Sequence, residues 1–97
     1  MALSPTSEKR LIERAETLLR DLDISGARLV LERALDAGSS RAAFLLAQTY
    51  DPKMLVQWRV RGAVPDTARA RDLYGRALAA GIAEAGARAA ELRAEPR

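Results

Sequence analysis

No cysteine and no histidine occur among the 97 residues of this chain. Without thiols there is no disulfide framework and no thiolate metal site, although the compartment stays open, since domains on either side of a redox boundary can do without cysteine. Without imidazole, histidine-based acid or base catalysis is excluded, and zinc chemistry with it. Aromatic residues are scarce too, at 4% of a chain that is 48% hydrophobic: one Trp, two Tyr and one Phe. The interior must therefore be built mainly from Ala and Leu, the composition of closely packed helices. No apolar run approaches the ~18 residues that a membrane-spanning helix needs, and the opening stretch MALSPTSEKR carries no apolar signal-peptide core. No membrane insertion by this segment is expected. The compartment is left unknown, with the cytoplasm favoured because neither a signal peptide nor a transmembrane segment is present.

The formal charge is +3, and arginine supplies nearly all of the positive side chains. An excess of this size tolerates an acidic partner without specifying one. A chain of this length makes one small domain that buries about 60–65% of its unfolded surface. An all-α fold follows from the alanine and leucine content.

Periodicity and punctuation divide the chain. Ser4-Pro5-Thr6-Ser7-Glu8 is a helix-start cluster, and Leu11, Ala15, Leu18, Leu19 and Leu22 recur on one helical face, which predicts an N-terminal helix over 5–22. Asp23 is suited to cap a second helix with Ala27, Val30, Leu31, Ala34 and Ala37 inward, and Gly38 to stop it in the left-handed conformation. Ser39 then caps a third helix carried by Ala42, Ala43, Leu46, Ala47 and Tyr50, so 23–50 reads as a first hairpin. Asp51-Pro52 opens an insertion over 51–65 with room for one short helix through about Trp58, and Arg61 to Pro65 is a break. Asp66 caps the next helix, with Ala70, Leu73, Tyr74, Ala77 and Leu78 inward and Gly81 at its stop. A last helix from Glu84 to about Leu92 turns Ala85, Ala89 and Leu92 inward and is weakened by Gly86, so 66–92 reads as a second hairpin before a frayed tail, 93–97.

The two hairpins are related. At the single spacing that separates Asp23 from Asp66, Ala27 meets Ala70, Arg28 meets Arg71, Arg33 meets Arg76, Ala34 meets Ala77, Gly38 meets Gly81 and Ala42 meets Ala85. Coincidences at one offset, on helical and glycine positions, indicate an internal duplication. The second copy resembles the Sel1-like repeat, a relative of the tetratricopeptide repeat: Ala63-Val64, Asp66, Ala70, Leu73-Tyr74, Arg76-Ala77, Gly81 and Ala85 follow its pattern, preceded by Ala43, Leu46 and Tyr50. The chain departs from that pattern at Ala63 and Leu73, where the family places Gly and an aromatic, and in the inserted segment. The resemblance implies a short right-handed α-solenoid of about five antiparallel helices, acting as a bacterial protein-binding adaptor.

The expected function is accordingly recognition of a protein or peptide, with no cofactor, no metal and no catalytic residue. Asp51, Asp66, Tyr50 and Tyr74 could be combined into an acid pair, but both aspartates already serve as helix caps. Lys53, Arg59, Arg61, Arg69, Arg71 and Arg76 stand against Asp66 and Asp72, next to Tyr50, Trp58 and Tyr74. This patch could hold an acidic peptide, a phosphate or a nucleic-acid backbone. In the bland alternative, favoured for the aromatics, Trp58 and Tyr74 fill the gap between repeats and the arginines are solvated. Arg28 and Glu32, opposite the inner stripe of the first copy, could face a groove beside Arg71, or form an i, i+4 pair. The candidate partner-binding set is thus Arg28, Glu32, Trp58, Arg59, Arg61, Arg69 and Arg71. A self-associating scaffold is the main rival reading, and an arginine-mediated nucleic-acid or acidic-ligand binder the lesser one.

Overall fold

The computed structural model describes residues 4–94. They form helices α1 (Pro5–Arg20), α2 (Ile24–Asp36), α3 (Ser40–Tyr50), α4 (Pro52–Gln57), α5 (Thr67–Ala79) and α6 (Glu84–Ala94), and no strand among the described residues. The fold is all-helical. α6 continues through Arg93 and Ala94, and residues 95–97 of the expected frayed tail lie outside the described residues.

The starts are set by side-chain oxygens. Ser4 accepts a hydrogen bond from the Ser7 N–H at 3.1 Å, Asp23 from Gly26 at 2.9 Å, Ser39 from Ala42 at 3.1 Å, Asp51 from Lys53 at 2.9 Å and Asp66 from Arg69 at 3.0 Å. Each such cap satisfies an N–H that the helix itself leaves orphaned and contributes about 0.5–2 kcal/mol. Asp23, Ser39, Asp51 and Asp66 are the residues that the sequence nominates for this role.

The ends share one geometry. The N–H groups of Asp23, Ser39, Val60 and Ile82 reach back to the carbonyls of Leu18, Ala34, Leu55 and Ala77 at 2.8–3.0 Å, closing α1, α2, α4 and α5 with Schellman turns. Such a turn needs a left-handed residue just before the donor. Gly38 (φ 98°) and Gly81 (φ 101°) supply it without a Cβ penalty, as the sequence indicates. Leu22 (φ 60°) and Arg59 (φ 59°) supply it at a cost of about 1–2 kcal/mol each. With no glycine at either position, the sequence leaves both stops unmarked.

In chain order α1 packs on α2, α2 on α3, α3 on α5 and α5 on α6, with α4 against the flank of α3. α3 therefore has neighbours on several sides, and every residue from 42 to 49 is buried. Ala27, Ala34, Ala42, Ala47, Ala70 and Ala77 are fully buried, and these small side chains let the helix backbones approach one another. Leu31, Leu46, Leu73 and Tyr74 fill the remaining volume, and the Phe44 and Tyr74 rings meet in a tilted pair with centroids 5.9 Å apart. The α2 stripe is rotated from the expected one: Ile24 and Leu35 are buried, whereas Val30 and Ala37 are half-buried, because α2 must face both α1 and α3. Leu78 remains 47% exposed at the far end of α5. It lies over Gly86, where a Cβ would come within 3.3 Å of Leu78 Cδ1, so the glycine that weakens α6 also admits its neighbour.

Candidate functional site

A buried polar pair sits where α3, α4 and α5 meet. Asp51 ends α3 and caps α4 through Oδ1, while its Oδ2 accepts a 2.7 Å hydrogen bond from the Tyr74 hydroxyl of α5. Asp51 is 2% exposed and Tyr74 fully buried. Burial, and then the bond to the Asp51 carboxylate, push the Tyr74 phenol well above its ordinary value, with nearby Arg88 acting in the opposite sense. Arg88 itself donates to Met54 Sδ at 2.6 Å and lies over the Phe44 ring. The pair couples the start of the insertion to the second hairpin.

The other end of the insertion is tied to the first hairpin. Arg28 of α2 donates through Nε to Thr49 Oγ1 at 3.2 Å, and through Nη2 to the Thr49 carbonyl and to the Val64 carbonyl, the latter at 2.9 Å. Its guanidinium lies 4.0 Å from the Tyr50 ring centroid. Arg69 of α5 approaches the same ring at 5.4 Å and forks onto Glu32, with Nη2 2.8 and 3.0 Å from the two carboxylate oxygens. The bond to Glu32 raises the Arg69 pKa, although burial opposes it. The Asp66 N–H completes the attachment by donating to the Tyr50 carbonyl at 2.8 Å. An i, i+4 pair between Arg28 and Glu32 does not form, because each side chain reaches instead to a neighbouring segment.

Between these anchors the insertion stands beside the α1–α2 turn, and two adjoining depressions that share Leu22 form a cleft between them. One depression, of about 330 Å³, is lined by Leu19, Arg20, Leu22 and Trp58. A second, of about 240 Å³, shares Leu22 and runs between residues 23–25 of the turn and 60–63 of the insertion. Trp58 is half-buried here, Leu22 is 49% exposed and Arg61 is exposed.

The candidate residues thus separate into groups. Arg28, Glu32 and Arg69 gather around Tyr50 and hold the insertion in place. Trp58 and Arg61 line the cleft. Arg59 is exposed between them in the left-handed position that ends α4, and Arg71, which the sequence pattern pairs with Arg28, is exposed and has no partner among the described residues. Of the two aromatics considered for filling the gap between helices, Tyr74 is fully buried and Trp58 is half-buried beside the cleft. Sequence reasoning missed Leu19, Arg20 and Leu22 as cleft residues. Leu19 and Leu22 read as the inner face of α1, and nothing in their spacing shows that a segment more than thirty residues on would close over them.

Among the described residues no helix is long and apolar enough to cross a membrane, and no cluster of acidic side chains has the makings of a metal site. The class defined by this architecture is an all-helical domain of short, alanine-rich helices with an anchored insertion. The chain matches no family model, no curated protein and no solved structure.

Proposed function

We propose that this chain is a non-enzymatic helical-repeat adaptor of the Sel1-like kind, a short right-handed α-solenoid that binds a protein or peptide through its groove and inserted segment. The duplicated pattern supports the repeat reading, with Asp23 and Asp66 as caps and Gly38 and Gly81 as stops at matching positions. The observation that carries the binding reading is the anchored insertion. Arg28, Asp51 and the Asp66 N–H fix both of its ends to the helical body, while Trp58 stays half-exposed in a cleft that the core does not fill. A surface held in place before its partner arrives loses less conformational entropy on binding. The polar groups with catalytic potential have structural partners instead: Asp51 holds Tyr74, and Asp66 holds the start of α5.

Selection from a random peptide library against the intact chain tests the reading. Sequences enriched on the parent and lost on Trp58→Ala are expected; no enrichment over an unrelated helical protein would refute it. The rival, self-association, draws on the exposure of Leu29 (75%) and Val56 (78%). Sedimentation over a broad concentration range decides it, since a strict monomer removes that reading.

A further inference from the structure

Resting on the adaptor reading, we infer that the cleft between the α1–α2 turn and the insertion takes a peptide segment in which one large apolar side chain is flanked by acidic residues. The apolar part of the cleft is formed by Leu19, Leu22 and Trp58, and its volume of about 330 Å³ lies at the low end of the ~300–1,000 Å³ typical of ligand pockets. It accommodates a side chain of leucine or phenylalanine size. Trp58, the only tryptophan in the chain, has the amphipathic body that anchors interfaces.

The charge around this anchor point has one sign to satisfy. Arg20 lines the apolar depression, and its Nη2 donates to the neutral Thr17 hydroxyl at 3.0 Å, with no ion pair to a carboxylate among the described residues. Arg61 lines the adjoining depression with no carboxylate partner among the described residues, and Arg59 is exposed next to Trp58. Asp23 is the one acid in the lining, and its Oδ1 already accepts the Gly26 N–H at the positive end of α2. A glutamate or aspartate on either side of the apolar anchor would therefore meet arginine. Guanidinium groups suit carboxylates because the two planar forks match. A nucleic-acid strand fits less well: the lining offers two arginines and a single half-buried ring rather than a cationic track with successive stacking platforms.

The test uses fluorescein-labelled peptides of glycine and serine, titrated with the intact chain and read by anisotropy. One carries a central phenylalanine flanked by glutamates, a second replaces the glutamates with lysines, and a third replaces the phenylalanine with alanine. A single-stranded oligodeoxynucleotide is the fourth probe. The glutamate-phenylalanine peptide is expected to bind best, weakening with added salt, and to shift the emission of Trp58 as the cleft fills. Trp58→Ala should weaken it about thirtyfold, as loss of a buried anchor does. Arg61→Gln should weaken it roughly two- to fivefold, the effect of a solvent-exposed ion pair. Circular dichroism of both variants confirms that they fold. Equal binding of the lysine peptide, tighter binding of the oligonucleotide, or indifference to Trp58→Ala would overturn the inference. If library-selected peptides compete at Trp58 while the glutamate-phenylalanine peptide does not bind, the inferred chemistry fails and the adaptor reading survives. If neither kind of peptide binds, both fall.

Discussion

Replacing Tyr74 by phenylalanine removes a single oxygen, yet it leaves the Asp51 carboxylate 2% exposed and without its 2.7 Å donor. A hydrogen bond to a charged group contributes about 1.5–3 kcal/mol, and a buried acceptor left unmatched keeps its desolvation cost. The ring contact with Phe44 is retained, so the loss belongs to the hydroxyl. At about 4–8 °C per kcal/mol for a domain of this size, the melting temperature should fall by roughly 6–24 °C. The same group sets an alkaline limit. Its folded pKa lies above the unfolded value of about 10, so its contribution is fully present below pH 10 and declines as pH rises beyond it, by about 1.4 kcal/mol per unit. Urea denaturation followed by circular dichroism at neutral pH and at several points above pH 10 measures both effects. In Tyr74→Phe the neutral-pH stability should drop while this share of the alkaline slope disappears. A variant within about 0.5 kcal/mol of the parent, with the slope unchanged, would refute the buried pair.

Gly75 is an exposed glycine inside α5, and a Cβ added there would meet nothing within 4 Å. Gly75→Ala should therefore stabilise the domain by about 1 kcal/mol in denaturant titration. Arg28→Leu breaks the tie between α2 and the insertion; it should cost about 1.5–3 kcal/mol and speed amide exchange across 60–66 ahead of the helices. Arg69→Ala, which loses a half-exposed ion pair with Glu32, should cost no more than about 1 kcal/mol, and the difference should shrink in high salt. Leu46→Asp places a charge at a fully buried position of α3 and should unfold the domain, and Gly81→Val, forced to a φ of 101°, should lower the melting point markedly. Unchanged melting in both would contradict the packing.

The helices were legible because their signals are local. Asp23, Ser39, Asp51 and Asp66 announce starts, Gly38 and Gly81 announce stops, and alanine at helical spacing marks the buried stripe. Ends at Leu22 and Arg59 were not legible, since a left-handed residue with a side chain leaves no mark in composition. The candidate site was legible in part for the same reason. The insertion, its tryptophan and its arginines stand out along the chain, but which arginine is engaged and which is free depends on contacts between distant segments. Arg28 and Arg71 each stand five residues after a capping aspartate, yet only Arg28 has the Thr49 and Val64 carbonyls within reach. Symmetry of sequence hid that difference. The depth of α3 was hidden too, because its periodicity marks one inward face whereas α2, α4 and α5 bury it from several directions.

The placement of the insertion against the α1–α2 turn is the claim on which the binding site depends, and one nuclear Overhauser experiment tests it directly. With a single tryptophan in the chain, the indole resonances are assignable without ambiguity. Cross-peaks from the Trp58 ring to the methyl groups of Leu19 and Leu22 are predicted. Their absence in a folded sample, or cross-peaks to leucines of α3 and α5 instead, would contradict the account.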